Sequence, residues 1–357
     1  MKRERIDKGE NNMKKIGLAL AAVFLMMISF MTTDSAEAAG AGFTIDAVQP
    51  ENQIGDASYF NLKVIPDQSQ ELALKVKNLE NQAIKIKISP NPAFTNNNGQ
   101  IDYSDQTVKR DDTAKYDVTQ LVSSPQEVDL AANETKDVKF TLTAPKEAFS
   151  GTIMGGFYAE KLSDDTADSS SSEGQMLTVK NKYSLVLGLA LTENPDQNIT
   201  PKLKLNDVKA GLSDEHTAVL ANLQNIEPQA FGSMTVDAKI YKKGDDNVFK
   251  ETKKDNQEMA PNSNYDFAID WQKEPLEAGD YHLDLVATSG TQEWKFERDF
   301  TIAQLEAQTI NEKSVDTPEQ SNNLWLYVII GVLVLIILLL LVFLLGRKKG
   351  RQAKDEA

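Results

Sequence analysis

The chain has 357 residues, a formal net charge of −15 and no cysteine. Disulfides and thiolate-held metals are therefore excluded. The first 38 residues carry +1 and the last twelve +3, which leaves −19 on residues 39–323, a surface that repels phosphate backbones and argues against nucleic acid as a partner.

In chain order, Lys14-Lys15 precedes the apolar run Ile16–Met31, and Ala36-Glu37-Ala38 follows. A basic segment, an apolar segment and a small-residue exit predict a secretory signal peptide over residues 1–38. Cleavage is expected after Ala38, with Ala39 as the alternative. Lys8-Gly9-Glu10-Asn11-Asn12 translates back into a purine-rich string like a ribosome-binding site, so Met13 is the expected true start. An exported chain without cysteine suits the surface of a Gram-positive bacterium.

From Phe43 onward the apolar residues follow period 2, the pattern of half-buried strands. Leu72, Leu74 and Val76 alternate with polar residues, as do Ile84, Ile86 and Ile88. The turn Asn78-Leu79-Glu80-Asn81 between them predicts a β-hairpin. Val138/Phe140/Leu142, Met234/Val236/Ala238/Ile240 and Tyr281/Leu283/Leu285 repeat the alternation. Three segments recur in the same order. Asn78–Ala83 is echoed by Asn225–Ala230, Leu130–Asn133 by Met259–Asn262, and Pro145–Ala148 by Pro275–Ala278. The expected fold is all-β, two tandem immunoglobulin-like sandwiches of one topology.

The expected modules are 43–162 and 176–305, separated by a mobile Ser/Asp-rich segment, 163–175. Met176–Leu191 admits a second reading, in which it pairs back onto Thr152–Ala159 and the linker becomes Thr192–Asp196. Residues 306–323 read as a polar flexible stalk. Leu324–Leu345 is 22 residues without a charge. That is roughly 33 Å of helix, enough to cross a bilayer core. Trp325 and Tyr327 mark its front edge. The basic residues of 346–357 mark a cytoplasmic tail, so the bulk of the chain is expected outside the plasma membrane in a single-pass topology.

The echoes are spaced unequally. Asn78 to Leu130 is 52 residues and Asn225 to Met259 is 34, so the first module carries an insertion within Asn91–Val122. It holds loop chemistry and aromatics among amides. Phe94, Asn96, Asn97, Asn98, Asp102, Tyr103 and Tyr116 are the candidate ligand-binding residues, because amides bond hydroxyls while rings offer a flat apolar face. The alternative is an ordinary loop whose tyrosines cap the core.

Catalytic signatures are missing from the sequence: it has no G-x-S-x-G, P-loop or H-E-x-x-H. Its two histidines, His216 and His282, lack ligand spacing. Paired carboxylates such as Asp111-Asp112 lie in turn-like runs. No enzyme activity, cofactor or metal is expected.

Phe43-Thr44-Ile45, Val48–Gln53, Tyr59-Phe60, Val76-Lys77-Asn78, Thr95–Gly99, Asp102-Tyr103 and Gly151–Gly156 together resemble the first module of the WxL-interacting proteins. Asn222–Asn225, Tyr241–Gly244, Ala260–Ser263 and Ala278–Tyr281 resemble its second module. The resemblance implies a peptidoglycan-binding module followed by a host-binding module, a boundary near the serine stretch, and WxL-domain surface proteins as associates. The expected function is a membrane-anchored scaffold that binds peptidoglycan and either a host protein or a WxL-domain partner. The rivals are a passive spacer and a wall-remodelling hydrolase.

Overall fold

The computed structural model describes residues 40–162, 183–316 and 329–338. Two β-sandwiches follow one another. In the first, one sheet is ordered β1-β3-β8: β1 is Phe43–Val48, β3 Ser69–Asn78 and β8 Thr135–Thr143. The facing sheet is ordered β2-β10-β9-β4-β7: β2 is Phe60–Lys63, β10 Ser184–Thr192, β9 Ile153–Leu162, β4 Ile84–Pro92 and β7 Gln126–Leu130. Alternation places Leu72, Leu74 and Val76 of β3 opposite Ile86 and Ile88 of β4, all fully buried, while Lys75, Lys77 and Lys85 stay outside.

The second sandwich repeats this plan. One sheet is β11-β12-β15, with β11 Leu203–Ser213, β12 His216–Asn225 and β15 Ser263–Asp270. The other is β14-β13-β16-β17, with β13 Phe231–Lys242, β14 Val248–Met259, β16 Gly279–Ser289 and β17 Gln292–Ile302. Laid on each other, β1-β3-β8 corresponds to β11-β12-β15, and β7-β4-β9-β10 to β14-β13-β16-β17. The first sandwich adds β2, paired parallel to β10.

The structure corrects two expectations. The turn at Asn78 is not a hairpin turn. β3 and β4 lie in opposite sheets, so the turn is an arch across the core. A strand pair that buries both its apolar faces against each other needs this crossing. Asn78 holds the arch. Its Nδ2 donates to the carbonyls of Gln82 and Ala131, both at 2.8 Å, and its Oδ1 accepts from Glu80 N at 2.9 Å. Asn225 repeats the pattern on Gln229 and Ala260 carbonyls at 2.8 and 2.9 Å, with Glu227 N at 3.2 Å. Both asparagines are fully buried, and their side chains satisfy carbonyls that a hairpin ladder would otherwise take.

The pairing of β10 bears on the module boundary, for which the sequence admitted two readings. β10 pairs with β9 from Ser184↔Glu160 to Leu191↔Ile153, and buries Leu187, Leu189 and Leu191 in the first core. The first sandwich therefore includes β10 through Thr192, and without it would lack the strand equivalent to β17.

The second correction concerns the stalk. Gln304–Lys313 is a helix, α2, that packs on the second sandwich; α1 is the single turn Val118–Leu121. Ala307 is buried and Ile310 packs against the same core. Asn311 grips Leu276 twice, accepting from its N–H at 2.7 Å and donating to its carbonyl at 3.0 Å. The low apolar content of this segment hid a helix that needs only one narrow contact stripe. Past α2, Asp316 accepts from His216 Nδ1 at 2.7 Å and from Thr217 N at 2.9 Å. Burial pushes this carboxyl up, but those hydrogen bonds outweigh it and hold it below the usual carboxylate range. The lowered value means the clasp is in force above that range and is lost as the pH falls through it. Asp316→Ala is expected to raise amide exchange across α2 by about tenfold at neutral pH, read by hydrogen–deuterium exchange. Unchanged protection would show that α2 holds without the clasp.

The signal peptide, the Met13 start, segment 163–175, residues 317–323 and the cytoplasmic tail lie outside the described residues. Of the expected span Leu324–Leu345, residues 329–338 are described, and they are helical with exposed side chains. Among the described residues, no helix is long and apolar enough to cross a membrane.

Candidate binding clefts at the junction of the sandwiches

The insertion forms between β4 and β7. β5, Phe94–Thr95, pairs with β6, Ile101–Asp102, in a small hairpin. Asn96 builds its turn: Oδ1 accepts from the N–H groups of Asn98 and Gln100 at 3.0 and 3.1 Å, and Nδ2 donates to Asp102 at 3.1 Å. Asp102 in turn accepts from Tyr103 N and Ser104 N. Burial raises the Asp102 carboxyl, but these bonds outweigh it and hold it below its ordinary value. Two candidate residues thus spend their side chains on the loop itself. Asn97 and Asn98 are exposed at its tip.

The loop does not hang free. It is a splint between the sandwiches. Thr95 Oγ1 lies 2.7 Å from Ser263 Oγ and accepts from Ala260 N at 3.0 Å, with both contacts buried. Glu258 N donates to Gly99 O at 2.7 Å, and Gln100 Nε2 to Asn256 O at 2.9 Å. Gly99 has φ +69°, and a Cβ there would stand 1.9 Å from Gln257 Oε1, so the close approach requires glycine. Asp111 is the hub. It accepts from Gln224 Nε2 at 2.8 and 2.9 Å, from Asn264 Nδ2 at 2.7 Å, and from Thr113 N and Oγ1 within its own loop. Burial pushes the Asp111 carboxyl up, but these donors outweigh that and hold it low.

Two clefts open at this junction. One, of about 420 Å³, holds Phe94 and Tyr116 beside Phe149 and Pro228. Charged side chains also line it, including Lys109, Arg110, Asp111 and Lys115. Arg110 is committed to Lys115 O and Gln120 Oε1, and Lys115 to Glu147.

The other cleft, of about 660 Å³, lies on the outer face of β9 and β10 and takes Tyr103. Gly188 lies in its lining, and its register partner Gly156 lies beneath Tyr103 and Val186. A Cβ on Gly156 would meet Tyr103 Cδ1 at 3.3 Å, and one on Gly188 would meet Tyr59 Cβ at 3.5 Å, so each glycine lets a tyrosine lie close to the sheet. Asn91, beside Gly156 in β4, donates to Tyr103 O at 2.7 Å and fixes the loop there. Burial, then nearby Glu258, pushes the Tyr103 hydroxyl above its ordinary value, so it stays protonated.

The seven sequence candidates therefore do not form one site. Phe94 and Tyr116 face one cleft, Tyr103 the other, and Asn96 and Asp102 are structural. Sequence reasoning missed Tyr59, Val186 and Gly188. The signal available was a glycine inside each of two strand patterns, but their adjacency depends on register across a long connection.

Tandem sandwiches joined by a splint, with clefts beside it, define a two-module binding architecture. The family model described as the WxL Interacting Protein peptidoglycan binding domain matches residues 43–161, and that of the WxL Interacting Protein host binding domain matches residues 174–312. The chain belongs to the WxL-interacting protein family. The second match begins ahead of β10, which the fold assigns to the first sandwich. No curated protein matches the chain. Among solved structures, a chain of the CsuC–CsuE chaperone-tip adhesion subunit pre-assembly complex of Acinetobacter baumannii is similar at 12% identity, covering 71% of this chain and 97% of that one, with a TM-score of 0.31. The SafA pilin–SafB chaperone complex of Salmonella enterica is similar at 12% identity, covering 73% and 96%, with a TM-score of 0.26. Scores this low carry no argument about fold or function.

Proposed function

We propose that this protein is a non-enzymatic surface scaffold of a Gram-positive bacterium. The first sandwich holds peptidoglycan, and the second meets a host protein or a WxL-domain surface protein. A signal peptide over 1–38 exports the chain, and 324–345 anchors it as a single-pass membrane helix. The supporting observation is the order of the two matched domains, one for the wall and one for a host, on a chain whose modules are splinted together. Tethering makes or breaks no bond. Two weak contacts on one chain gain from effective concentration, so modest single-site affinities suffice.

The charge of −19 on 39–323 implies that wall binding works through hydrogen bonds and stacking. Co-sedimentation of the full chain with purified sacculi is therefore expected to persist from low to about 0.5 M salt, where exposed ion pairs are screened. Binding that vanishes at moderate salt would reject this mode. No binding at any salt favours the passive spacer, and release of muropeptides favours a hydrolase.

A further inference from the structure

The two junction clefts differ in charge. A quarter of the chain's residues are charged, yet the thirteen that line the cleft over Gly188 include no Asp, Glu, Lys, Arg or His. The Phe94–Tyr116 cleft carries five charged side chains, Lys109, Arg110, Asp111, Lys115 and Asp117. Peptidoglycan has two matching halves. Its glycan strand is N-acetylated and uncharged where the lactyl groups are amide-linked. Its stem peptides carry free carboxylates and amines.

We infer that the neutral cleft is a site for the N-acetylated glycan strand, with Tyr59 and Tyr103 as stacking walls and Gly188 as floor. This rests on the wall-binding reading above and names which part of the polymer is held, and where. No charged side chain lines this trough, so a carboxylate entering it would lose water and find no opposite charge, while Glu258 near Tyr103 would repel it. A sugar loses little, because its C–H face lies on a tyrosine ring and its acetyl methyl meets Val186 and Met154. Asn61, Ser58 and Gln229 supply neutral donors and acceptors at the rim, Gln229 coming from the second sandwich. The volume, about 660 Å³, falls within the range of about 300–1,000 Å³ typical of small-ligand sites. Gly156 matters from beneath, because a side chain there would stand 2.9 Å from Val186 Cγ1 and 3.3 Å from Tyr103 Cδ1 and would displace both lining side chains.

The test uses the full chain in detergent micelles, with N-acetylglucosamine tetramer as the neutral probe, a free stem tetrapeptide as the charged probe, and intact sacculi. Tyr59 and Val186 are each 42% exposed, so Tyr59→Ala and Val186→Glu are expected to fold, with unchanged melting as the check. The tetramer is expected to bind the unaltered chain and to compete with sacculi, while the tetrapeptide does neither. Each variant is expected to weaken tetramer binding by about tenfold or more. Folded variants that bind the tetramer normally, a tetramer that does not bind, or competition by the tetrapeptide alone would overturn the assignment while sacculus binding stood. An unaltered chain that leaves sacculi unbound would overturn the wall-binding reading and the assignment with it.

Discussion

Trp271→Ala is expected to destabilise the second sandwich by about 3–5 kcal/mol, the range for removing a large buried aromatic side chain. Trp271 is 1% exposed and directly follows β15. Its ring stands edge-on to Phe249 at 5.4 Å and to Tyr281 at 5.6 Å. Tyr281 continues the stack to Phe300 at 5.5 Å. The tryptophan also covers the stem of Lys250, whose ammonium is 2.6 Å from Glu274 and 5.7 Å from the indole centroid. Deleting the ring leaves a cavity between two sheets that cannot close it, because each is held by its own ladder. Urea unfolding followed by far-UV circular dichroism measures the change. A loss under about 1 kcal/mol would mean the sheets collapse onto the gap.

Asp111→Ala is expected to uncouple the two sandwiches. Asp111 accepts from Gln224 and Asn264 of the second module while turning its own loop. Gln224 is buried, so the variant leaves its amide without an acceptor. Hydrogen bonds to a charged group, with a stranded donor added, come to about 3 kcal/mol of coupling. The expected calorimetric result at neutral pH is one melting transition in the unaltered chain and two in the variant. Asp112→Ala, at the exposed neighbour, is expected to keep one transition. The sign with pH follows from the lowered carboxyl. A group whose folded value lies below its unfolded one stabilises above the unfolded value, and that stability disappears as acid protonates the folded form. The unaltered chain should therefore begin to show two transitions as the pH falls below the ordinary carboxylate range. A single transition in Asp111→Ala would place the coupling in the Thr95–Ser263 contact instead.

Much of the fold was legible before any coordinates. Leu72/Leu74/Val76 and Ile84/Ile86/Ile88 marked strands because period 2 is local. The Asn78 and Asn225 echoes marked equivalent turns because both side chains do the same hydrogen bonding. The pairing of those strands was not legible. An arch and a hairpin share turn chemistry, and they differ only in which sheet receives the next strand. The helix α2 was misread as stalk because its anchoring comes from Asn311 and Asp316, polar residues that look like linker until their partners are found.

The candidate site followed the same rule. The insertion was visible as a spacing difference between the echoes, and its amides and rings were read as ligand chemistry. Asn96 and Asp102 turned out to serve their own loop, whereas Thr95 and Asp111 serve the second sandwich, through partners more than a hundred residues away. The sequence by itself determined that this is an alternating, cysteine-free, strongly acidic chain of two like modules. Only the tertiary structure decided which sheet takes β10, what the insertion holds together, and that Gly156 and Gly188 face each other across β9 and β10. Alternation depends on the residue and its neighbours along the chain, whereas register and docking are set by packing energies summed over strands far apart in sequence.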